Sequence, residues 1–298
     1  MTITPPRDTG GKELGRIAII GSGQVGTMLG IGLRAAGCGD VVVHDRDPSV
    51  AATSAALGAA SGVITDNRDA LAYDTIIVAL PVPEIVKTIG ELGPRMTAGT
   101  FLVDTGSAKV VVTDAMRRHV PRGVHAVGGH PMAGSEQPGP RGARPGMLKG
   151  APFIFTPARD DPAALDRGRS LAAAVGAEMF ELDPGTHDAL LARTSHLAHL
   201  VAFALRAVGT AGSTGAVHGL TSAGYDGMTR LAGSSPEMVA GFLGANAANV
   251  TSAVEELITS LQHASKFLGG DPAGLSALLA EWQTAAPLSP ALSTGTRP

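Results

Sequence analysis

RIAIIGSGQVGTMLG, residues 16–30, sets the architecture of the chain before any other segment is read. The apolar run Ile17–Ile20 reads as a short strand buried on both faces, and the residues after Gly26 read as a helix, with GSGQVG, residues 21–26, as the turn between them. In that setting G-x-G-x-x-G has a mechanism. Gly21 permits the tight turn, Gly23 lets the backbone approach a pyrophosphate, and Gly26 lets helix and strand close on each other, with the helix N-terminus facing the phosphates. Gly21, Ser22, Gly23, Gln24, Val25 and Gly26 are therefore the candidate dinucleotide cradle.

The same rhythm continues on the C-terminal side. VVVHD (41–45), TIIVAL (75–80) and TFLVD (100–104) are short apolar runs separated by helical stretches, a pattern that implies parallel strands joined by helical crossovers. VHAVGG, PFIFTP and EMFEL extend the strand count, with a helix expected from Pro162 to Val175. After Asp183 strand signals stop. The expected organisation is an α/β Rossmann-like doubly wound sheet over 15–183 followed by an all-α dimerisation domain over 184–283. A leader (1–14) and a tail (284–298) both read as disordered, having little apolar surface to bury. SHLAHLVAFALRAVG (195–209) is apolar nearly all round, so that helix is expected inside a core or between the subunits of a homodimer.

Composition removes several classes of function. Of 298 residues 16% are charged, with a net charge of -3 and no basic run, which argues against nucleic-acid or anionic-membrane partners. No stretch reaches the roughly 18–20 apolar residues of a membrane helix, and the N-terminus lacks the apolar core of a signal peptide. The single cysteine, Cys38, excludes an internal disulfide and a multi-cysteine metal site; it reads as a small buried apolar residue in a cytoplasmic protein. No metal is expected.

Asp45 follows Gly26 by nineteen positions at the end of the second strand, where an acidic side chain takes the ribose hydroxyls of NAD and repels a 2′-phosphate. Arg46 keeps NADP as the alternative, because an adjacent guanidinium is able to receive that phosphate, although it also reads as a surface charge. Leu80 and Pro81, in ALPVPEIV, are expected over the cofactor. DTGSAK (104–109) places Ser107 and Lys109 beyond the end of a strand, and GGHPMAGSE (128–136) places His130 likewise, so two polar loops converge on one crevice. A serine near a histidine raises acyl transfer, but G-x-S-x-G is absent and a hydrolase has no use for a nucleotide loop. In hydride transfer a hydroxyl must shed its proton as hydride leaves, and a neutral imidazole is the side chain matched to taking it.

GSGQVG, DTGSAK, GGHPMAGSE, HDALLARTSHLAH (187–199) and YDGMTRLAGSSPEM (225–238), in this order, resemble the prephenate/arogenate dehydrogenase family of tyrosine biosynthesis, from about Arg16 to Trp282. The resemblance implies NAD(P)-dependent oxidative decarboxylation of a cyclohexadienol to a phenol: prephenate to 4-hydroxyphenylpyruvate, or arogenate to tyrosine. It makes His130 the catalytic histidine on the ring hydroxyl and Ser107 the group that orients both. His196 and His199, three apart on one helix face, are implied near the substrate, with packing histidines as the plainer reading. Arg230 is implied to clamp a substrate carboxylate, the alternative being a surface arginine, and Glu136 to gate the mouth of the site. His187 and Asp188 read as helix-start residues, with contact to His130 or the cofactor loop as the other reading, and neither is assigned a task. Two departures from the family pattern are Ala198 in SHLAH and Val239, where an aromatic wall is expected. The short tail leaves no room for a fused mutase or regulatory domain. The alternatives are a 4-amino-4-deoxyprephenate dehydrogenase of specialised metabolism and a β-hydroxyacid-type dehydrogenase, which wants a lysine where this chain has SHLAH. A non-catalytic NAD sensor would dispense with Ser107, His130 and Arg230.

Overall fold

Short apolar strands, the central ones rich in Ile and Val and buried on both faces, build one sheet in the computed structural model, which describes residues 12–135, 137–211 and 221–284. They are β1 (Ile17–Ile20), β2 (Val41–His44), β3 (Gly62–Val63), β4 (Thr75–Val78), β5 (Phe101–Asp104), β6 (His125–Pro131), β7 (Pro152–Pro157) and β8 (Glu178–Glu181), in the order β3-β2-β1-β4-β5-β6-β7-β8. The helices α1 (Gln24–Ala35), α2 (Pro48–Ala56), α3 (Val82–Leu92), α4 (Val110–His119) and α5 (Pro162–Ala174) connect or flank them. Alternation splits each strand between two apolar layers: Ala18 and Ile20 face one with Ile85 and Val112, and Ile17 and Ile19 face the other with Leu29 and Phe101. The order reverses between β1 and β4, the crevice where such sheets bind ligands.

The sheet departs from the expected parallel arrangement at one seam: β7 pairs antiparallel with β6, His130 opposite Ile154. A parallel return needs a helical crossover, and among the described residues of the Gly- and Pro-rich segment 132–151 the helical element is the 3-10 turn Pro140–Gly142. Likewise His130 does not follow a strand end but lies within β6. Parallel pairing to β5 stops at Val127, and the extension carrying His130 continues the ladder with β7.

The described elements after Glu181 are helical: α6 (Pro184–Leu191), α7 (Leu197–Thr210), α8 (Ala223–Thr229), α9 (Pro236–Ala245), α10 (Ala247–Ser265) and α11 (Pro272–Thr284). The chain forms two compact units, one through Val250 and one from Thr251. The first runs past the last strand because α9 packs on α3, with Val239 and Phe242 buried in the same apolar layer as Val82 and Ile85. Val239, which stands where the family pattern has an aromatic and was expected to remove a bulky wall from the site, is a core residue.

Part of the expected leader is ordered: Lys12–Leu14 form a 3-10 turn, Leu14 is buried, and its carbonyl accepts a 2.6 Å bond from the Thr75 hydroxyl. Residues 1–11 of the leader, Glu136, and residues 285–298 of the tail lie outside the described residues. α7, expected to be buried all round, buries only Ala202 in the protomer, and Leu200 and Val208 are exposed. Among the described residues no helix is long and apolar enough to cross a membrane.

Candidate active site

The turn after β1 has the shape its glycines demand. Gly21 sits at φ +101°, and a Cβ there would lie 2.2 Å from the Ala79 carbonyl; a Cβ on Gly26 would lie 1.9 Å from the Gly21 carbonyl. Gly23 differs: nothing comes within 4 Å of where its Cβ would be, which leaves the N-terminus of α1 open to a ligand. Ser22 is buried, its N–H donating to the Asp45 carboxylate (2.9 Å) and its hydroxyl to the His44 carbonyl (3.1 Å). The side chain of Ser22 therefore fastens the turn to β2. Asp45 is fixed by Ser22 and Asp47 N–H groups and borders a cavity of about 350 Å³, together with Gly23, exposed Arg46, Leu80 and Pro81.

Gln24, the first residue of α1, turns its side chain toward the far loop. Its amide nitrogen reaches Ser135 Oγ (2.6 Å) and the Gln137 (2.9 Å) and Gly142 (3.1 Å) carbonyls, and its amide oxygen accepts from the Ser135 N–H (2.9 Å). Of the six cradle residues, Gln24 is the one that links the nucleotide turn to the loop following His130. Val25 packs its side chain against the apolar layer.

Beyond β5 a buried ion pair ties three segments together. Lys109 and Asp104 are fully buried; Lys109 Nζ donates to the Asp104 carboxylate and to the Gly129 carbonyl (2.6 Å), while Asp104 also accepts from the Gly106 (2.7 Å) and Gly129 (3.1 Å) N–H groups. Burial pushes the Lys109 ammonium down, and Asp104 opposes that shift. The lysine is thus a structural cation beneath the site, and it holds β6 at the residue before His130.

His130, 9% exposed, bonds through its side chain not to Ser107 but to His187, Nδ1 to Nε2 at 2.9 Å. His187 Nδ1 lies 2.8 Å from Asp188 Oδ1, and the Asp188 carboxylate accepts from the Lys109 (2.7 Å) and Val110 (2.9 Å) N–H groups at the start of α4. Burial first, then His187, Lys109 and His196, hold the His130 imidazole well below its ordinary range, so it is neutral at physiological pH. For Asp188, burial is the largest influence and raises it, but the bonds from His187, Lys109 and Val110 outweigh burial and keep the carboxylate ionised.

A π turn, Ala192–His196, joins α6 to α7 and swings His196 inward. Both His196 ring nitrogens are taken by the protein: Nε2 donates to the Ser107 carbonyl (3.0 Å), and Nδ1 accepts from the Asn246 amide (3.1 Å), which also donates to the Asp188 carbonyl (2.7 Å). His196 therefore steadies the Ser107 loop. His199 donates Nδ1–H to the Ser195 carbonyl (3.0 Å) and packs edge-on to Phe242. Arg230 is exposed on a single 3-10 turn, Arg230–Gly233, packed against α7.

Burial holds His196 down at about 4, against an ordinary value of 6.5. Between those values the unfolded chain takes up a proton that the folded chain refuses, so this residue leaves stability intact above the upper value and erodes it as pH falls toward the lower one. The loss at about pH 5 is about 2 kcal/mol. Urea midpoints at about pH 7 and pH 5 check this: the acid-induced drop is expected to shrink in His196→Gln.

Sequence reading left open whether His187 and Asp188 reach His130 or the cofactor loop, and the structure joins them to His130; Asn246 it missed. The pair HD directly after a Pro-initiated helix was the available signal; Asn246 carried none, since its partners lie 50 and 58 positions away.

A family model described as prephenate dehydrogenase, nucleotide-binding domain, matches residues 29–181, and one described as prephenate dehydrogenase, dimerization domain, matches residues 183–280. The chain is similar to prephenate dehydrogenase of Bacillus subtilis, 31% identical over 186 residues covering 59% of this chain and 50% of that protein. It is 32% identical to the probable prephenate dehydrogenase NovF of Streptomyces niveus over 257 residues, 85% of this chain and 68% of the relative. The Aquifex aeolicus prephenate dehydrogenase solved with hydroxyphenyl propionate and NAD+ aligns at TM-score 0.81 and 26% identity, covering 90% of this chain and 96% of that one. The match thus spans about half the length of the Bacillus subtilis relative.

Proposed function

The chain belongs to the prephenate dehydrogenase family, and on that premise we propose that it catalyses the NAD-dependent oxidative decarboxylation of prephenate or arogenate. The observation that carries the proposal is His130: a buried, neutral imidazole on the extension of β6, with one ring nitrogen tied to His187. The cradle fits a dinucleotide, because Gly21 and Gly26 admit no side chain, the space at Gly23 is open, and Asp45 is held at the end of β2 beside a cavity. Gly21, Gly23 and Gly26 would hold the pyrophosphate and Asp45 the adenosine ribose, with Leu80 and Pro81 alongside. When bound, NAD supplies the acceptor for the hydride leaving the hydroxyl-bearing ring carbon.

The protein's own part is proton and charge handling. His130 Nε2 accepts a hydrogen bond from the ring hydroxyl and polarises the O–H bond as hydride departs. The electron pair of the bond to the ring carboxylate closes the aromatic ring as CO2 leaves, and the proton stays with the phenol oxygen, so His130 ends neutral. Ser107 lines the same crevice, its loop fixed by His196. His199 presents its second nitrogen, and Arg230 takes a substrate carboxylate through two parallel hydrogen bonds. Glu136 is kept as the gate. A substrate domain beginning near residue 184 also remains part of the proposal, as does a cytoplasmic setting. The uncovered Leu200 and Val208 of α7, in the segment matched to a dimerization domain, support a homodimer in which that helix is covered.

Following NADH formation by absorbance with prephenate, arogenate and 4-amino-4-deoxyprephenate, each with NAD and NADP, tests the proposal. Turnover of prephenate or arogenate with NAD is expected. Turnover of the amino analogue alone would move the substrate, and none with any of the three would reject the reading.

A further inference from the structure

We propose that His187 and Asp188 are a positioning dyad that dictates which nitrogen His130 presents to the substrate; this rests on the assignment of His130 as the hydroxyl acceptor. An ionised carboxylate only accepts, so His187 Nδ1, 2.8 Å from Asp188 Oδ1, carries the proton. With that ring proton on Nδ1, His187 turns the lone pair of Nε2 to the group 2.9 Å away, and His130 Nδ1 donates to it. His130 is left with a bare Nε2, the form that accepts a hydrogen bond from the ring hydroxyl. Free histidine favours the opposite tautomer, with its proton on Nε2, so the dyad holds the less favoured and reactive form.

The dyad is itself anchored. Asp188 takes the Lys109 and Val110 N–H groups at the N-terminus of α4, where a helix end stabilises negative charge. Its backbone carbonyl accepts from Asn246, so α6 and α9 both fix its place. The other charged or titratable groups around His130 are already committed: Lys109 to Asp104, and His196 to Ser107 and Asn246. When Nε2 gains positive character, the Asp188 carboxylate one ring away is the counterion left to balance it. Neither dyad residue needs to touch substrate or cofactor, so both act through His130.

Two substitutions at one position separate the links. In His187→Asn the shorter amide keeps a partner for Asp188 but does not reach His130; in His187→Gln the longer side chain brings an amide oxygen to the His130 Nδ1–H and gives up Asp188. His187→Asn is expected to lower kcat by about 10²–10⁴-fold with substrate KM little changed, and His187→Gln to recover part of that loss. Imidazole nitrogen NMR of the substrate-free native protein gives a readout apart from activity: the His130 proton is expected on Nδ1, and on Nε2 in His187→Asn. A native His130 protonated on Nε2, or full turnover in His187→Asn, overturns the proposal. The native spectrum decides the matter even if a variant fails to fold. A native enzyme inactive on every cyclohexadienol, yet with the proton on Nδ1, would reject the catalytic reading while leaving the dyad standing.

Discussion

His130→Asn lowers kcat by about 10²–10⁴-fold, the usual worth of a positioned acid or base, with little change in substrate KM. The size follows from what asparagine keeps and loses. Its amide overlays the Nδ1 edge of the imidazole, so a bond to His187 survives and the buried polar group is not orphaned. What disappears is Nε2, the acceptor for the ring hydroxyl. Since that acceptor acts as hydride leaves, the loss falls on kcat, and the unfolding midpoint should stay close to that of the native protein. Near-normal turnover in His130→Asn would place the hydroxyl acceptor on another residue.

Lys109→Met has the largest expected effect on stability, a loss of about 3–5 kcal/mol, because it strands a carboxylate that has no access to water. Asp104 and Lys109 have no exposed side-chain surface. Without the ammonium, Asp104 keeps only the Gly106 and Gly129 N–H groups, and the Gly129 carbonyl loses the Lys109 donor. Urea unfolding should show a lower midpoint at unchanged slope, insensitive to added salt because screening does not reach a buried pair. Arg169→Gln, which breaks the exposed pair with Asp166, is the contrast and should barely move the midpoint. If the two substitutions behaved alike, Lys109 would not be the cation that holds β5, α4 and β6 together.

Local pattern carried most of the fold. Apolar runs beginning at Ile17, Val41, Thr75 and Phe101 became parallel strands, and the glycines of 21–26 formed the turn that their spacing requires. The direction of β7 was not legible, since a buried run such as PFIFTP reads identically in either orientation; only the missing crossover over 132–151 settles it. At the site, His130 was visible because its chemistry is rare in a loop of small residues. Its contact with His187 was left open rather than fixed by pattern, because it joins residues 57 positions apart and depends on how α6 docks at the start of α4. Lys109 shows the opposite error: placed by its motif beyond a strand, it reads as a polar site residue but is buried as structure. Gln24 likewise reads as cradle from its position, and its side chain serves the loop from Ser135 to Gly142.

The most direct test of the central claim uses prephenate carrying deuterium on the hydroxyl-bearing ring carbon, with NAD, measuring CO2 and labelled NADH in the same reaction. The account predicts that the deuterium appears in the NADH and that one CO2 is released for each NADH formed. NADH without CO2, or NADH without the label, would contradict it.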